Sequence, residues 1–376
     1  MKKIILFLIL MFPISVFAED LNLTAASSIL VEESTGKVLY ENNADEKRAP
    51  ASMTKIMTIL LVMENIDSGK LKLNDKITIS PNAASMGGSQ VFLQAGQQMK
   101  VNELLKAITI ASANDAAVAL SEHVAGSEDG FVKLMNKKAK ELGAKNTNFV
   151  NVHGLDNENH YTTAKDMSLM ARELLKHKNI LNYTSIYEEY LNKPDGTSTW
   201  MVNTNKLIKY YQGLDGLKTG FTNTAGYCLT ATAKRNGMRL ISVVMKEPSA
   251  EVRSNDTISL LNYGFANYKI KTILKSTKKI GTIKIYNGKE TKADIHLVND
   301  ATNLEKIDED NKYTYNIKTK KITAPVKMGD NVGYLEIISN GKVINKVSLT
   351  INKNINKANI WDLYKRNLNN ILIGNN

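Results

Sequence analysis

At 376 residues the chain is longer than one hydrophobic core usually fills, so two or three domains are expected. Its 43% hydrophobic content excludes a disordered chain, and its single cysteine excludes an intramolecular disulfide. The net charge of +12 is spread along the sequence without a basic cluster, so it gives no footprint for nucleic acid. Outside a membrane, the anions such a surface meets are lipid headgroups and wall polymers.

The first element is a targeting segment. Lys2 and Lys3 precede the apolar run Ile4 to Phe12, and Val16-Phe17-Ala18 follows with small residues at the −3 and −1 positions. This describes a secretory signal peptide over 1–18, cleaved after Ala18. The run falls short of the ~20 apolar residues of a spanning helix. Next, Ala25 to Val31 and Lys37 to Tyr40 flank the Gly-bearing turn Glu33-Ser34-Thr35-Gly36, which reads as a hairpin. Ile56, Met57, Ile59, Leu60 and Met63 recur at helical spacing, so a helix begins near Ser52. Further helices fit Val101 to Ile110, Ala116 to Val124, Gly130 to Leu142 and Thr163 to His177. Two β-prone runs, Tyr227 to Thr232 and Leu240 to Val244, flank Arg235-Asn236-Gly237, a strong hairpin signal. In that apolar setting Cys228 reads as a small buried hydrophobe, not a reactive thiol.

A helical middle between terminal β-segments predicts an α/β (α+β) domain with an antiparallel sheet over 19–267. Beyond Tyr268 the helical period is lost. Alternating runs separated by glycines at 281, 288, 329, 333 and 341 predict a small all-β domain over 268–353. Over 354–376 a helical pattern returns. Ile360, Trp361, Tyr364, Leu368, Ile371 and Leu372 fall within an arc of roughly 120°, an apolar stripe. Such a tail suits the plane of a membrane interface; the alternative is packing on the β-domain.

Three short motifs carry the chemistry: Ser52-Met53-Thr54-Lys55, Ser112-Ala113-Asn114 and Lys218-Thr219-Gly220. S-x-x-K also occurs at Ser34–Lys37, Ser276–Lys279 and Ser339–Lys342, but those lie in turn or strand contexts. Only Ser52 and Lys55 open a helix, where positions i and i+3 are neighbours. Taken alone, Ser52 would be a helix cap. S-x-x-K, S-x-N and K-T-G in this order occur together in penicillin-binding proteins and class A β-lactamases.

The set is chemically coherent. A serine hydroxyl needs a base, and Lys55 serves only as a neutral amine; burial and the Lys218 cation both favour that form. Ser112 could pass a proton to the leaving amine, and Asn114 could hold Lys55 and a substrate amide. Lys218 and Thr219 suit a substrate carboxylate. Gly220 would let substrate lie flat along a strand edge, and the N–H groups of Ser52 and Phe221 would form an oxyanion hole.

With Ala51 to Lys55, His153-Gly154-Leu155 and Asp215 to Thr222, the mature chain resembles the serine D-alanyl-D-alanine carboxypeptidases, the low-molecular-mass penicillin-binding proteins. The resemblance implies a β-lactamase/transpeptidase-like catalytic fold and a peptidoglycan stem-peptide substrate ending in D-Ala-D-Ala. It also implies an acyl-enzyme on Ser52, release of D-alanine, covalent inhibition by β-lactams, and neither metal nor other cofactor. Its β-domain and amphipathic tail imply peripheral attachment to the outer face of the cytoplasmic membrane. Arg253 stands where the family carries a basic residue that steadies the substrate carboxylate; the alternative is a surface arginine.

Rival readings remain. A β-lactamase would need a water-activating carboxylate, and Glu188-Glu189-Tyr190-Leu191-Asn192 matches E-x-x-L-N, though only 30 residues before Lys218. A Ser-His-Asp hydrolase lacks its G-x-S-x-G elbow, and His153 reads as shaping a loop beside the site. A non-catalytic peptidoglycan-binding or β-lactam-sensing protein would have no use for the Lys55 base. A DD-endopeptidase would share every motif.

Overall fold

A computed structural model describes residues 21–373, so the expected signal peptide over 1–18 lies outside the described residues. The chain divides into two compact units at Gly264 and Phe265, with the turn Asn236–Met238 grouped with the second.

The first unit is built on a five-stranded sheet. Its strands lie in the order Val38–Asn42, Ser27–Glu32, Met238–Glu247, Gly226–Arg235, Leu214–Thr222. Both long hairpins follow from the sequence. Asn236 (φ +48°) and Gly237 (φ +82°) supply the left-handed pair that a two-residue turn needs. The helices Lys55–Asp67 and Ala164–Leu174 pack against this sheet; Asn114–Ala125 and Glu128–Glu141 pack on Lys55–Asp67, and Val101–Ile110 packs on Asn114–Ala125. Lys55–Asp67 is buried without a break from Lys55 through Met63, because Ile-Met-Thr-Ile-Leu-Leu-Val-Met leaves no polar face. It is the centre of the core and begins at Lys55, the last residue of the first motif.

Three elements of this unit have no clear counterpart in the sequence pattern. A three-residue ladder pairs Lys76–Thr78 with Gln98–Lys100. A hairpin pairs Glu188–Asn192 with Ser198–Val202. The helix Ala250–Asn267 has a mixed buried face of Arg253, Asp256, Thr257, Leu260 and Leu261, which hides its period.

The second unit pairs Tyr268–Leu274 with Ala301–Lys306 and builds a six-stranded sheet around Leu335, Ile337, Leu349 and Ile351. The tail expected from residue 354 starts with a segment that belongs to this sheet's core. Ile355 is buried and exchanges two backbone hydrogen bonds with Val326, and the Ala358 N–H donates to the Asn287 carbonyl. The helix itself runs Ile360–Ile373.

Candidate active site

A 3-10 turn, Ala51–Thr54, leads directly into the helix that begins at Lys55. The Ser52 and Lys55 side chains therefore meet one turn apart, with Lys55 Nζ 3.1 Å from Ser52 Oγ. Lys55 is fully buried, and its two other partners are neutral oxygens: Asn114 Oδ1 at 2.6 Å and the His153 carbonyl at 2.7 Å. A neutral amine has two N–H donors and one lone pair, which these three contacts fill. Burial first, and then the Lys218 cation, hold the Lys55 amine well below its ordinary range, with Asp115 opposing them.

Ser112 and Asn114 sit where the helix Asn114–Ala125 begins. Ser112 adopts φ +61°, and its Oγ is buried with no hydrogen-bond partner among the described residues. A positive φ and a buried, unpartnered hydroxyl together mark Ser112 as a functional position. The Asn114 amide donates to the Gly87 carbonyl at 2.7 Å while its oxygen takes the Lys55 contact. Asp115, which lies outside the three motifs, accepts from the N–H groups of Val91 and Leu93 and so fixes the adjacent 91–93 loop.

The third motif lies on Leu214–Thr222, the edge strand of the sheet. Lys218 is also buried, and its Nζ donates to the Thr219 carbonyl at 3.1 Å. Burial, then the charge of Arg253, brings its pKa down to about 7. Thr219 donates to Thr204 Oγ1 at 2.6 Å. Arg253 is 6% exposed, so the surface-arginine alternative fails; it is a second buried cation whose charge bears on Lys218. Phe221, next along the edge strand, is half exposed and stacks against Tyr227.

Gly220 also has a packing reason. A side chain there would stand 2.8 Å from the Pro50 carbonyl oxygen, 3.1 Å from Ala51 Cβ and 3.2 Å from the Ser52 nitrogen. The missing side chain lets the strand close on the serine turn.

Three comparisons with known proteins bear on this arrangement. A family model described as D-alanyl-D-alanine carboxypeptidase matches residues 15–249, and one described as penicillin-binding protein 5, C-terminal domain, matches residues 268–357. The chain belongs to the D-alanyl-D-alanine carboxypeptidase family. It is similar to D-alanyl-D-alanine carboxypeptidase DacF of Bacillus subtilis, 45% identical over 346 residues, or 92% of this chain and 89% of that one. Among solved structures, penicillin-binding protein 5 of Haemophilus influenzae superposes with a TM-score of 0.70 at 32% identity, covering 89% of this chain and 98% of the other. Penicillin-binding protein D2 of Listeria monocytogenes, in an ampicillin-bound form, gives a TM-score of 0.59 at 36% identity over 66% of this chain and 100% of its own. The α+β catalytic fold with an antiparallel sheet is thus the family's own.

Within this family member, Glu188 stands exposed on a hairpin strand opposite Val202, while Leu191 of the same strand is buried. E-x-x-L-N here is a strand pattern with its apolar residue turned inward. Cys228 is fully buried, and burial pushes its thiol up to about 11. His153 offers Lys55 a backbone carbonyl, not its ring, and burial holds its imidazole at about 4.

Proposed function

We propose that this chain removes the terminal D-alanine from peptidoglycan stem peptides through an acyl-enzyme on Ser52. The observation that carries the reading is the buried Lys55 amine, enclosed by Ser52 Oγ and two neutral oxygens with no carboxylate partner. In the forward step the Ser52 hydroxyl gives its proton to the Lys55 lone pair as Oγ attacks the penultimate D-alanine carbonyl. Negative charge gathers on that carbonyl oxygen, and the N–H groups of Ser52 and Phe221 receive it. The C–N bond then breaks, the proton passes from Lys55 through Ser112 to the departing amine, and D-alanine leaves. Water, deprotonated by the same amine, releases the shortened peptide.

Lys218 and Thr219 take the terminal carboxylate, with Arg253 reinforcing the positive field from behind. Asn114 orients Lys55 and the substrate amide. A β-lactam enters the same chemistry and leaves a long-lived ester, because among the described residues no carboxylate hydrogen-bonds to Ser52 or Lys55 to activate water there.

Mass spectrometry of the purified chain with a stem pentapeptide tests the reading. Loss of one D-alanine is expected, and none from a Ser52→Ala variant, which also forms no covalent penicillin adduct. Cleavage of cross-linked dimers alone would make it an endopeptidase. An adduct with no turnover would make it a sensor. Rapid penicillin hydrolysis lost in Glu188→Gln would make it a β-lactamase.

The same reading places the enzyme outside the cytoplasm, exported by the 1–18 segment and resting on the membrane through its last helix. Ile360, Trp361, Tyr364 and Leu368 are all exposed, Ile360 by 84%, which supports an unpartnered apolar stripe. Arg366 ties the helix to its own domain by donating to the Gly288 carbonyl at 2.7 Å. No helix among the described residues is long and apolar enough to cross a membrane, so attachment would be interfacial.

A further inference from the structure

His160 belongs to none of the three motifs, yet it is 3% exposed and lies against the serine turn. Its hydrogen bonds have a fixed direction. The Val150 N–H donates to Nδ1 at 3.1 Å, so Nδ1 carries the lone pair and the proton sits on Nε2. Nε2 is 2.7 Å from Thr54 Oγ1 and donates to it. The Thr54 hydroxyl has one proton, and it goes to the Ala51 carbonyl at 2.8 Å. Thr54 and Ala51 are both buried, so water does not compete along this chain. Burial also keeps the imidazole neutral, its pKa near 4 despite an opposing push from Asp156.

The end of the relay is what matters. The Ala51 carbonyl and the Ser52 N–H belong to one planar peptide, so fixing the carbonyl fixes the direction of the N–H. That peptide needs fixing, because Ala51 is held at φ +47°, a conformation an alanine does not adopt freely. A second contact fences the same carbonyl: any side chain at Gly154 would overlap the Ala51 oxygen.

We infer that His160 is a positioning residue that aims the oxyanion-hole N–H of Ser52 through Thr54 and the Ala51 carbonyl. This rests on the reading of Ser52 as nucleophile. It assigns a purpose to a histidine 106 residues from Thr54 that touches no substrate.

The test separates the acylation rate constant from the binding constant for a chromogenic penicillin, using the full chain. His160→Leu and Thr54→Val should each lower the rate constant about ten- to a hundredfold, below the ~10²–10³-fold of a deleted oxyanion donor. Binding should change little. Because both break one relay, the double variant should be no slower than the slower single. His160→Gln can accept from Val150 and donate to Thr54, and Thr54→Ser keeps the hydroxyl; both should regain most of the rate.

A lowered melting temperature with a normal acylation rate would make the network purely structural and overturn the inference, as would multiplicative losses in the double variant. If His160→Leu does not fold, Thr54→Val, equal in shape and short of one hydroxyl, decides alone. Penicillin labelling that survives Ser52→Ala would instead remove the nucleophile on which the relay depends, a failure visible without any relay variant.

Discussion

Placing a methyl group at Gly220 tests whether the distance between the edge strand and the serine turn governs acylation. The new Cβ would meet the Pro50 oxygen at 2.8 Å and Ala51 Cβ at 3.1 Å, both backbone or backbone-proximal and unable to swing aside. Ordinary contacts between such atoms begin near ~3.5 Å, so strand and turn must part by about half an ångström. Gly220 is not among the positive-φ glycines, so the backbone itself accepts alanine. Overpacking costs about 1–3 kcal/mol, offset by about 0.4–1 kcal/mol from a less flexible unfolded chain. At about 2–4 °C per kcal/mol for a unit of this size, the melting temperature should fall by no more than about 10 °C. Chemistry is less forgiving: about 1 Å of misplacement costs about a hundredfold, so half of that should cost about tenfold in acylation rate. Stopped-flow acylation by a fluorescent penicillin, beside thermal unfolding of the same samples, reads both quantities. Gly220→Ala with an unchanged acylation rate would refute the argument that this gap sets the oxyanion geometry.

Lys55→Arg keeps a long basic side chain but stays protonated and cannot supply a neutral base, so acylation should drop about 10²–10⁴-fold; a near-normal rate in the same assay would move the base elsewhere. Stability should rise with pH between about 8 and 9. Lys218 has a folded pKa of about 7 against an ordinary 10.5, and Lys55 is likewise held well below its ordinary range, so the unfolded chain holds the extra protons and loses that advantage as pH climbs. The gain should be about 1–3 kcal/mol per pH unit in urea unfolding, and Lys218→Met should flatten it; a flat wild-type profile would mean both amines stay charged when folded. Cutting the chain after Asn359 should leave an enzyme that trims free peptide but no longer floats with anionic liposomes. Flotation unchanged by the cut would return the helix to a structural role.

What the sequence disclosed was local. The Ser52–Lys55 pair follows from helical spacing, and Asn236-Gly237 placed its hairpin because turn chemistry lies within four residues. Long-range approach was hidden. Nothing near Gly220 announces Pro50, and nothing near His160 announces Thr54, because such contacts exist only once the sheet and the central helix have packed. The hairpin over Glu188–Asn192 escaped recognition because its partner strand Ser198–Val202 buries only Met201 and leaves Trp200 exposed, so no clean alternation advertises it. The helix over Ala250–Asn267 escaped for the opposite reason, its buried face being partly polar. Tail and β-domain merge at Ile355 because a single buried isoleucine and two backbone hydrogen bonds leave no compositional mark.

The two buried lysines make reactivity a matter of dryness. The Lys55 amine loses its proton because water is kept out, chiefly by the walls around it and only secondarily by the charge of Lys218. Any loosening that lets a few water molecules reach Lys55 would restore its proton and silence Ser52, with every motif residue still in place. Such an enzyme would switch off by seepage before it unfolds. Substitutions at apolar neighbours such as Val152, whose carbonyl holds Thr58 beside the lysine's own helix turn, should therefore depress acylation at temperatures where the fold remains intact.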